Sequence, residues 1–130
     1  METSIQKLVA ISYLVVSLSH ILQPRAWARF FIMLREKGEV GSLLNGLLHF
    51  PMGVLIVSFH NVWQGIPLIV TLMGWGLVVK GSLYLIWPQY GMRVLSRISI
   101  ERAWVFAAGG VTMLPISGLI FYSLFDRGAL

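Results

Sequence analysis

Lys80 stands inside a long apolar run, Ile66 to Trp87, seven residues before its end. An ammonium so placed is either a positive charge aimed at an anion inside the protein or an amine that reaches along its own stem back to water. The distinction matters energetically, because a charged lysine near the centre of a membrane span costs roughly 2.5–3.5 kcal/mol on insertion scales, and less where it can snorkel. At about 1.5 Å per residue, Lys80 lies about 10 Å from the end of its run. On the same scale His20 lies at the near edge of the first apolar run, with Asn45 about one turn and His49 about two turns into the second. Lys80, His49, Asn45 and His20 are therefore expected in one half of the layer, as the candidate ligand-binding residues, with Thr112 of the fourth run near mid-depth and able to face them. Depth alone does not say which way each side chain points.

Other chemistries lack parts. Glu2, Glu36, Glu39, Glu101 and Asp126 all fall at the ends of apolar runs or between them, which disfavours a proton or sodium relay through carboxylates. The chain has no cysteine, hence no disulfide and no thiolate-bound metal. No serine is flanked by the glycines of a nucleophile elbow. Two histidines on different runs suggest haem, yet His20 and His49 differ in depth by about 7–8 Å, and haem or quinone stays a weaker alternative. No catalytic residue, metal site or cofactor is expected. His60, beside Asn61, is expected to be a solvated turn residue, and Trp75, at mid-depth, a packing or lipid-facing ring.

The elements that must position these residues follow from composition. Hydrophobic residues make up 57% of the chain and charged residues 12%, with a mean hydropathy of +0.79; a soluble domain carries about 25% charged residues. Four apolar runs, Ile5 to Leu22, Gly41 to Phe59, Ile66 to Trp87 and Ala103 to Phe125, are each long enough for a membrane-spanning helix. None alternates as a barrel strand would, and four strands could not close a barrel. The start of the chain has the look of a signal peptide but lacks a small-x-small cleavage site, so a retained first helix is expected. The net charge of +5 sits in the connections and not in a nucleic-acid-binding motif.

Those connections set an orientation. Arg25, Arg29, Arg35 and Lys37 occupy the first, Arg93, Arg97 and Arg102 the third, and the second, HNVWQG, has no basic residue. Basic connections stay in the cytoplasm, so both termini and the turn at His60 to Gly65 are expected outside. Lys7 and Arg127 dissent. Trp27, Trp87 and Trp104 at the basic ends and Trp63 at the opposite turn fit the aromatic belts of a bilayer.

A second pattern is internal. HILQPRAWARFF, from His20, and YLIWPQYGMRVL, from Tyr84, share a design about 64 residues apart. Trp27, Phe30, Phe31 and Leu34 fall on one helical face at i, i+3, i+4 and i+7, with Arg25, Arg29 and Glu36 opposite; Val94, Leu95 and Ile98 repeat that phase against Arg93, Ser96 and Arg97 within Gln89 to Glu101. Both segments read as short amphipathic helices at the membrane surface, with Arg29 and Arg93 placed for lipid headgroups. The same offset pairs Pro24 with Pro88, Pro51 with Pro115 and Gly46 with Gly110, leaving only Pro67 without a proline partner. A duplicated span, surface helix, span is expected, repeat 1 about residues 1–64 and repeat 2 about 65–130. Each unit crosses an even number of times, so a pseudo-twofold axis along the membrane normal relates the copies.

The segment HNVWQGIPLIVTLMGWGLVVKGSLYLIWP resembles a pattern of small, largely uncharacterised bacterial inner-membrane proteins: HNxW at a turn, then GW, KG, Y and P. That resemblance covers under a quarter of the chain. It implies a bacterial multi-pass protein in which His60, Asn61, Trp63, Gly74, Trp75, Lys80, Gly81, Tyr84 and Pro88 form the characteristic stretch, and it implies no activity.

The expectation is one all-α transmembrane domain, residues 1–130: a four-helix bundle with two interfacial amphipathic helices and two parallel repeats. It would be a non-enzymatic, multi-pass protein of the bacterial inner membrane, oligomeric or part of a larger complex. Its cytoplasm-facing polar site would bind or pass a small solute or an anionic lipid headgroup. The rival expectation is an accessory subunit with no ligand of its own.

Overall fold

A computed structural model describes all 130 residues. The chain folds entirely as helices: α1 (Glu2–Leu22), α2 (Pro24–Glu36), α3 (Glu39–Phe59), α4 (Pro67–Ile86), α5 (Pro88–Leu95) and α6 (Trp104–Asp126). Four of them, α1, α3, α4 and α6, are 20 to 23 residues long and apolar enough to cross a membrane, spanning about 30–35 Å at 1.5 Å per residue. Their outward residues stay apolar, among them Val15, Leu47, Val79 and Val111. Continuous exposed apolar surface of this kind is compatible with an integral membrane protein.

Proline and glycine set the boundaries. Pro24, Pro67 and Pro88 each open a helix, where the missing N–H costs nothing. The residue before a proline is pushed out of the helical region, and Gln23 and Trp87 break the chain with the same φ of −128°. Each hands its own N–H back four residues, Gln23 to the Ser19 carbonyl at 2.8 Å and Trp87 to the Leu83 carbonyl at 2.9 Å. Gly38, at φ 64°, turns the chain from α2 into α3, a conformation that L side chains rarely adopt. α5 is shorter than the amphipathic pattern to Glu101 suggests. Past Leu95 the chain tightens into turns, the Arg97 N–H bonding to the Val94 carbonyl and the Ile98 N–H to the Leu95 carbonyl, each at 3.2 Å, and the Arg35 guanidinium holds the Ile98 carbonyl at 2.7 Å.

Packing is organised as two tight antiparallel pairs, α3 on α4 and α1 on α6, with sparse contact between the pairs. Small residues permit the close approach. A Cβ added at Gly53 would lie 3.0 Å from the Gly74 carbonyl oxygen, and one added at Gly81 would lie 2.6 Å from the Phe50 nitrogen. In the other pair a Cβ at Gly110 would lie 2.6 Å from the Ser17 carbonyl oxygen, and the Ser117 hydroxyl donates to the Ala10 carbonyl at 2.8 Å.

The apolar core is lopsided. Ile5, Val9, Ala10, Ile56, Val70, Ile120 and Leu124 pack together, all in the half that holds the termini and the α3–α4 turn, here the turn end. At the opposite end, covered by α2 and α5, the contacts are largely aromatic, and two buried polar atoms, Ser17 Oγ and Asn45 Oδ1, have no hydrogen-bond partner.

Candidate functional site

At the α2/α5 end, Tyr84 organises one polar assembly. The tyrosine is buried, 3% exposed, and Lys80 one turn earlier is exposed. The Lys80 ammonium lies 5.9 Å from the centre of the Tyr84 ring, within reach of a cation–π attraction. The His49 ring meets the same tyrosine edge-on, 6.1 Å between centroids and 80° between planes. From Tyr84 the contact runs on to Tyr90 at 6.1 Å, from Tyr90 to Trp87 at 5.8 Å, and from the Trp87 ring to the Arg93 guanidinium at 5.7 Å. Two cations are thus strung along one aromatic ladder, one inside α4 and one on the exposed face of α5.

His49 bonds through Nδ1 to the Asn45 carbonyl at 2.7 Å. A carbonyl only accepts, so Nδ1 carries a proton and donates it. Asn45 itself is 2% exposed. The assembly therefore offers an exposed cationic donor, Lys80, on the same tyrosine as the His49 ring, with Arg93 farther along the ladder on Trp87 and Asn45 Oδ1 sealed from solvent. An exposed ammonium of this kind can hold an anion such as a phosphate ester.

His20 stands apart from this group. Its Nδ1 donates to the Val16 carbonyl at 2.8 Å, and its ring stacks on Trp27 at 4.3 Å and lies 5.8 Å from Phe106. It belongs to the corner of α1, α2 and α6, beside a groove of about 360 Å³ lined by Ser19, Gln23, Ala26, Trp27 and Phe30. Thr112, expected to face the polar group, is exposed on α6 and donates to the Gly109 carbonyl at 2.8 Å. Arg29 is exposed on α2, as Arg93 is on α5. The structure thus brings Lys80, His49 and Asn45 together and leaves His20 elsewhere.

A second assembly, at the turn end, corrects the reading of His60. It is not solvated: it is 1% exposed, its ring lying between Gln6 of α1 and Thr71 of α4 while Asn61, Trp63, Gln64 and Gly65 stay exposed. His60 Nδ1 lies 3.1 Å from Thr71 Oγ1 and His60 Nε2 3.0 Å from Gln6 Nε2. Thr71 Oγ1 donates to the Val62 carbonyl at 2.8 Å and accepts from the Val62 N–H at 3.0 Å. Arg127 donates to Gln6 Oε1 and, at 3.0 Å, to the Ser123 carbonyl. Burial holds the His60 imidazole below its ordinary value of 6.5, with Arg127 adding to the depression and Glu2 opposing it.

Trp75 is also tied more specifically than expected. Its indole N–H donates to Asn61 Oδ1 at 3.2 Å, while Asn61 Nδ2 donates to the Val57 carbonyl at 2.6 Å. The ring lies exposed along α4 with its one polar atom satisfied. One local signal pointed to Gln6, a polar residue sharing a helical face with the apolar Ile5, Val9 and Ala10. Nothing local marked Thr71 or Arg127, whose partners are distant in sequence.

No protein-family model matches the chain, and neither a curated protein nor a solved structure is similar to it.

Proposed function

We propose that this chain is a non-enzymatic, multi-pass protein of the bacterial inner membrane that binds an anionic lipid headgroup on the Lys80 flank. The observation that carries the reading is the exposed Lys80 ammonium lying against Tyr84, in a protein whose five carboxylates all lie at helix ends or in connections. An ammonium at that depth lacks a carboxylate counter-charge of its own helix bundle, and an anionic headgroup would supply one. Binding is favoured over passage of a solute, since Lys80 is an exposed side chain on α4. Arg93, and Arg29 at the matching place on α2, contact phosphates at the surface.

In this reading α2 and α5 lie at the cytoplasmic face, with the termini and the turn at His60 to Gly65 outside. The basic residues of the two α2/α5 connections support that orientation. Two copies of span, surface helix, span form the molecule. Support comes from contacts that exchange under the 64-residue offset. The Gly53–Gly74 approach in the α3/α4 pair corresponds to the Ser117–Ala10 hydrogen bond in the α1/α6 pair. Gly46 against Gly81 and Leu85 corresponds to Gly110 against Ser17 and Ile21. Tyr84 corresponds to His20, and Lys80 to Val16, so the deep cation belongs to one copy only.

Native mass spectrometry from mild detergent with added phosphatidylglycerol tests this. The wild type is expected to retain one anionic lipid per protomer, Lys80→Met to lose it, and Val16→Lys to gain a second. Equal retention by wild type and Lys80→Met would contradict the reading. A second reading, an accessory subunit packed against a larger complex, is favoured by the placement of Lys80 on a flank and not in an enclosed cavity. It predicts no retained lipid and co-purification with a larger assembly that Lys80→Met disrupts.

A further inference from the structure

The hydrogen bonds around His60 have only one consistent direction. The single proton of the Thr71 hydroxyl goes to the Val62 carbonyl, so toward His60 the hydroxyl oxygen can only accept, and His60 Nδ1 must donate. In the neutral ring His60 Nε2 is then the acceptor, and the Gln6 amide must turn its NH₂ toward it. That leaves Gln6 Oε1 facing Arg127, which only donates. Each bond in the chain from Arg127 through Gln6 and His60 to Thr71 then pairs a donor with an acceptor, and none of these bonds can be reversed without setting donor against donor.

Adding one proton breaks it. Imidazolium donates from both nitrogens, so Nε2–H would face the Gln6 NH₂, donor against donor. Rotating the Gln6 amide by half a turn presents Oε1 to His60 but sets the NH₂ against the Arg127 guanidinium. Flipping the His60 ring changes nothing, because both its nitrogens now donate. The charged groups that bear on the ring are Arg127, of like sign, and Glu2; the adjoining stretches of α3 and α4, residues 40–59 and 67–79, contain no charged residue.

These bonds tie Gln6 of α1 and Arg127 after α6 to the turn and to Thr71 of α4, capping the apolar core that joins the two helix pairs at this end. We propose that the Arg127–Gln6–His60–Thr71 chain is an acid-released latch: one proton on His60 Nε2 detaches the turn, residues 60–66, from the first turns of α1 and from Arg127. The latch is independent of what Lys80 binds, since it lies at the opposite end of the bundle.

The sign follows from linkage. His60 binds protons more weakly in the folded state than in the unfolded one, so the latch is fully closed above about pH 6.5 and weakens as pH falls from there through the folded value. In that window each pH unit raises the opening equilibrium up to about tenfold.

The test uses the full-length protein in micelles, with hydrogen exchange corrected for its intrinsic pH dependence and followed from pH 8 to 5. In the wild type, amides of residues 57–72 and the first turns of α1 are expected to open up to about tenfold more per pH unit below 6.5, while α2 and α5 do not change. In His60→Gln, which can donate and accept but not titrate, this dependence is expected to vanish with α2 and α5 protection intact. A pH-independent opening in the wild type, or an unchanged pH response in His60→Gln, overturns the proposal. If His60→Gln fails to fold, the wild-type imidazole ¹⁵N shifts decide: a protonated Nδ1 with a bare Nε2 at pH 8 upholds the latch, and the opposite tautomer overturns it.

Discussion

Gly76 and Gly81 sit five residues apart on α4 and make opposite predictions. Alanine at either position gains helix propensity of about 1 kcal/mol relative to glycine. At Gly76 a Cβ meets nothing within 4 Å, so Gly76→Ala should keep that gain in full. At Gly81 the Cβ would lie 2.6 Å from the Phe50 nitrogen, 2.6 Å from its Cβ and 2.7 Å from its Cα. The obstacle is largely the backbone of α3, which cannot swing aside as a side-chain tip can, so the pair must separate along its length. Overpacking of this kind costs typically about 1–3 kcal/mol, and the loss should match or exceed the propensity gain. Gly81→Ala is therefore expected to unfold at lower denaturant than wild type by up to about 2 kcal/mol, and Gly76→Ala at higher denaturant. Denaturant titration in micelles, followed by circular dichroism, reads both. If the two variants shift in the same direction, the close approach of α3 and α4 is wrong.

Other substitutions probe individual hydrogen bonds. Ser117→Ala removes a buried bond to the Ala10 carbonyl and should cost about 1 kcal/mol or more, whereas Ser17→Ala removes a hydroxyl with no partner and should be neutral or slightly stabilising; melting of the two variants side by side checks the contrast. Thr71→Val strips partners from His60 Nδ1, the Val62 N–H and the Val62 carbonyl together. It should destabilise by at least about 1–3 kcal/mol, with amide protection lost first in the turn, as hydrogen exchange would report. Arg35→Leu releases the Ile98 carbonyl and should raise exchange at residues 96–103 while leaving the four long helices protected.

Much of the fold was legible because it rests on local pattern. Run length and hydropathy located all four long helices to within a few residues, and Pro24 and Pro88 marked the breaks before α2 and α5. The end of α5 was misjudged because the chain tightens into turns after Leu95 and Arg35, from a distant helix, holds the Ile98 carbonyl, neither of which hydrophobic phase registers. The candidate site was legible in depth but not in direction: Lys80, His49 and Asn45 share a corner, whereas His20, at a similar depth, lies against Trp27 of α2 and Phe106 of α6. Least visible was the turn-end assembly. Gln6 and His60 are 54 residues apart and Gln6 and Arg127 are 121 apart, so only the fold brings them together. A histidine beside an asparagine reads as a turn former, and Arg127 reads as a stray charge, until burial shows what each must satisfy.

The claim on which the membrane reading turns is that the two basic connections share one side, with the turn and termini on the other. The chain has no cysteine, so single cysteines report without background. Gly38→Cys and Arg97→Cys are expected to react with a membrane-impermeant maleimide only after cells are permeabilised, and Gln64→Cys and Gly128→Cys in intact cells. Labelling of Gly38→Cys and Arg97→Cys from opposite sides, or of Gln64→Cys only after permeabilisation, would contradict it.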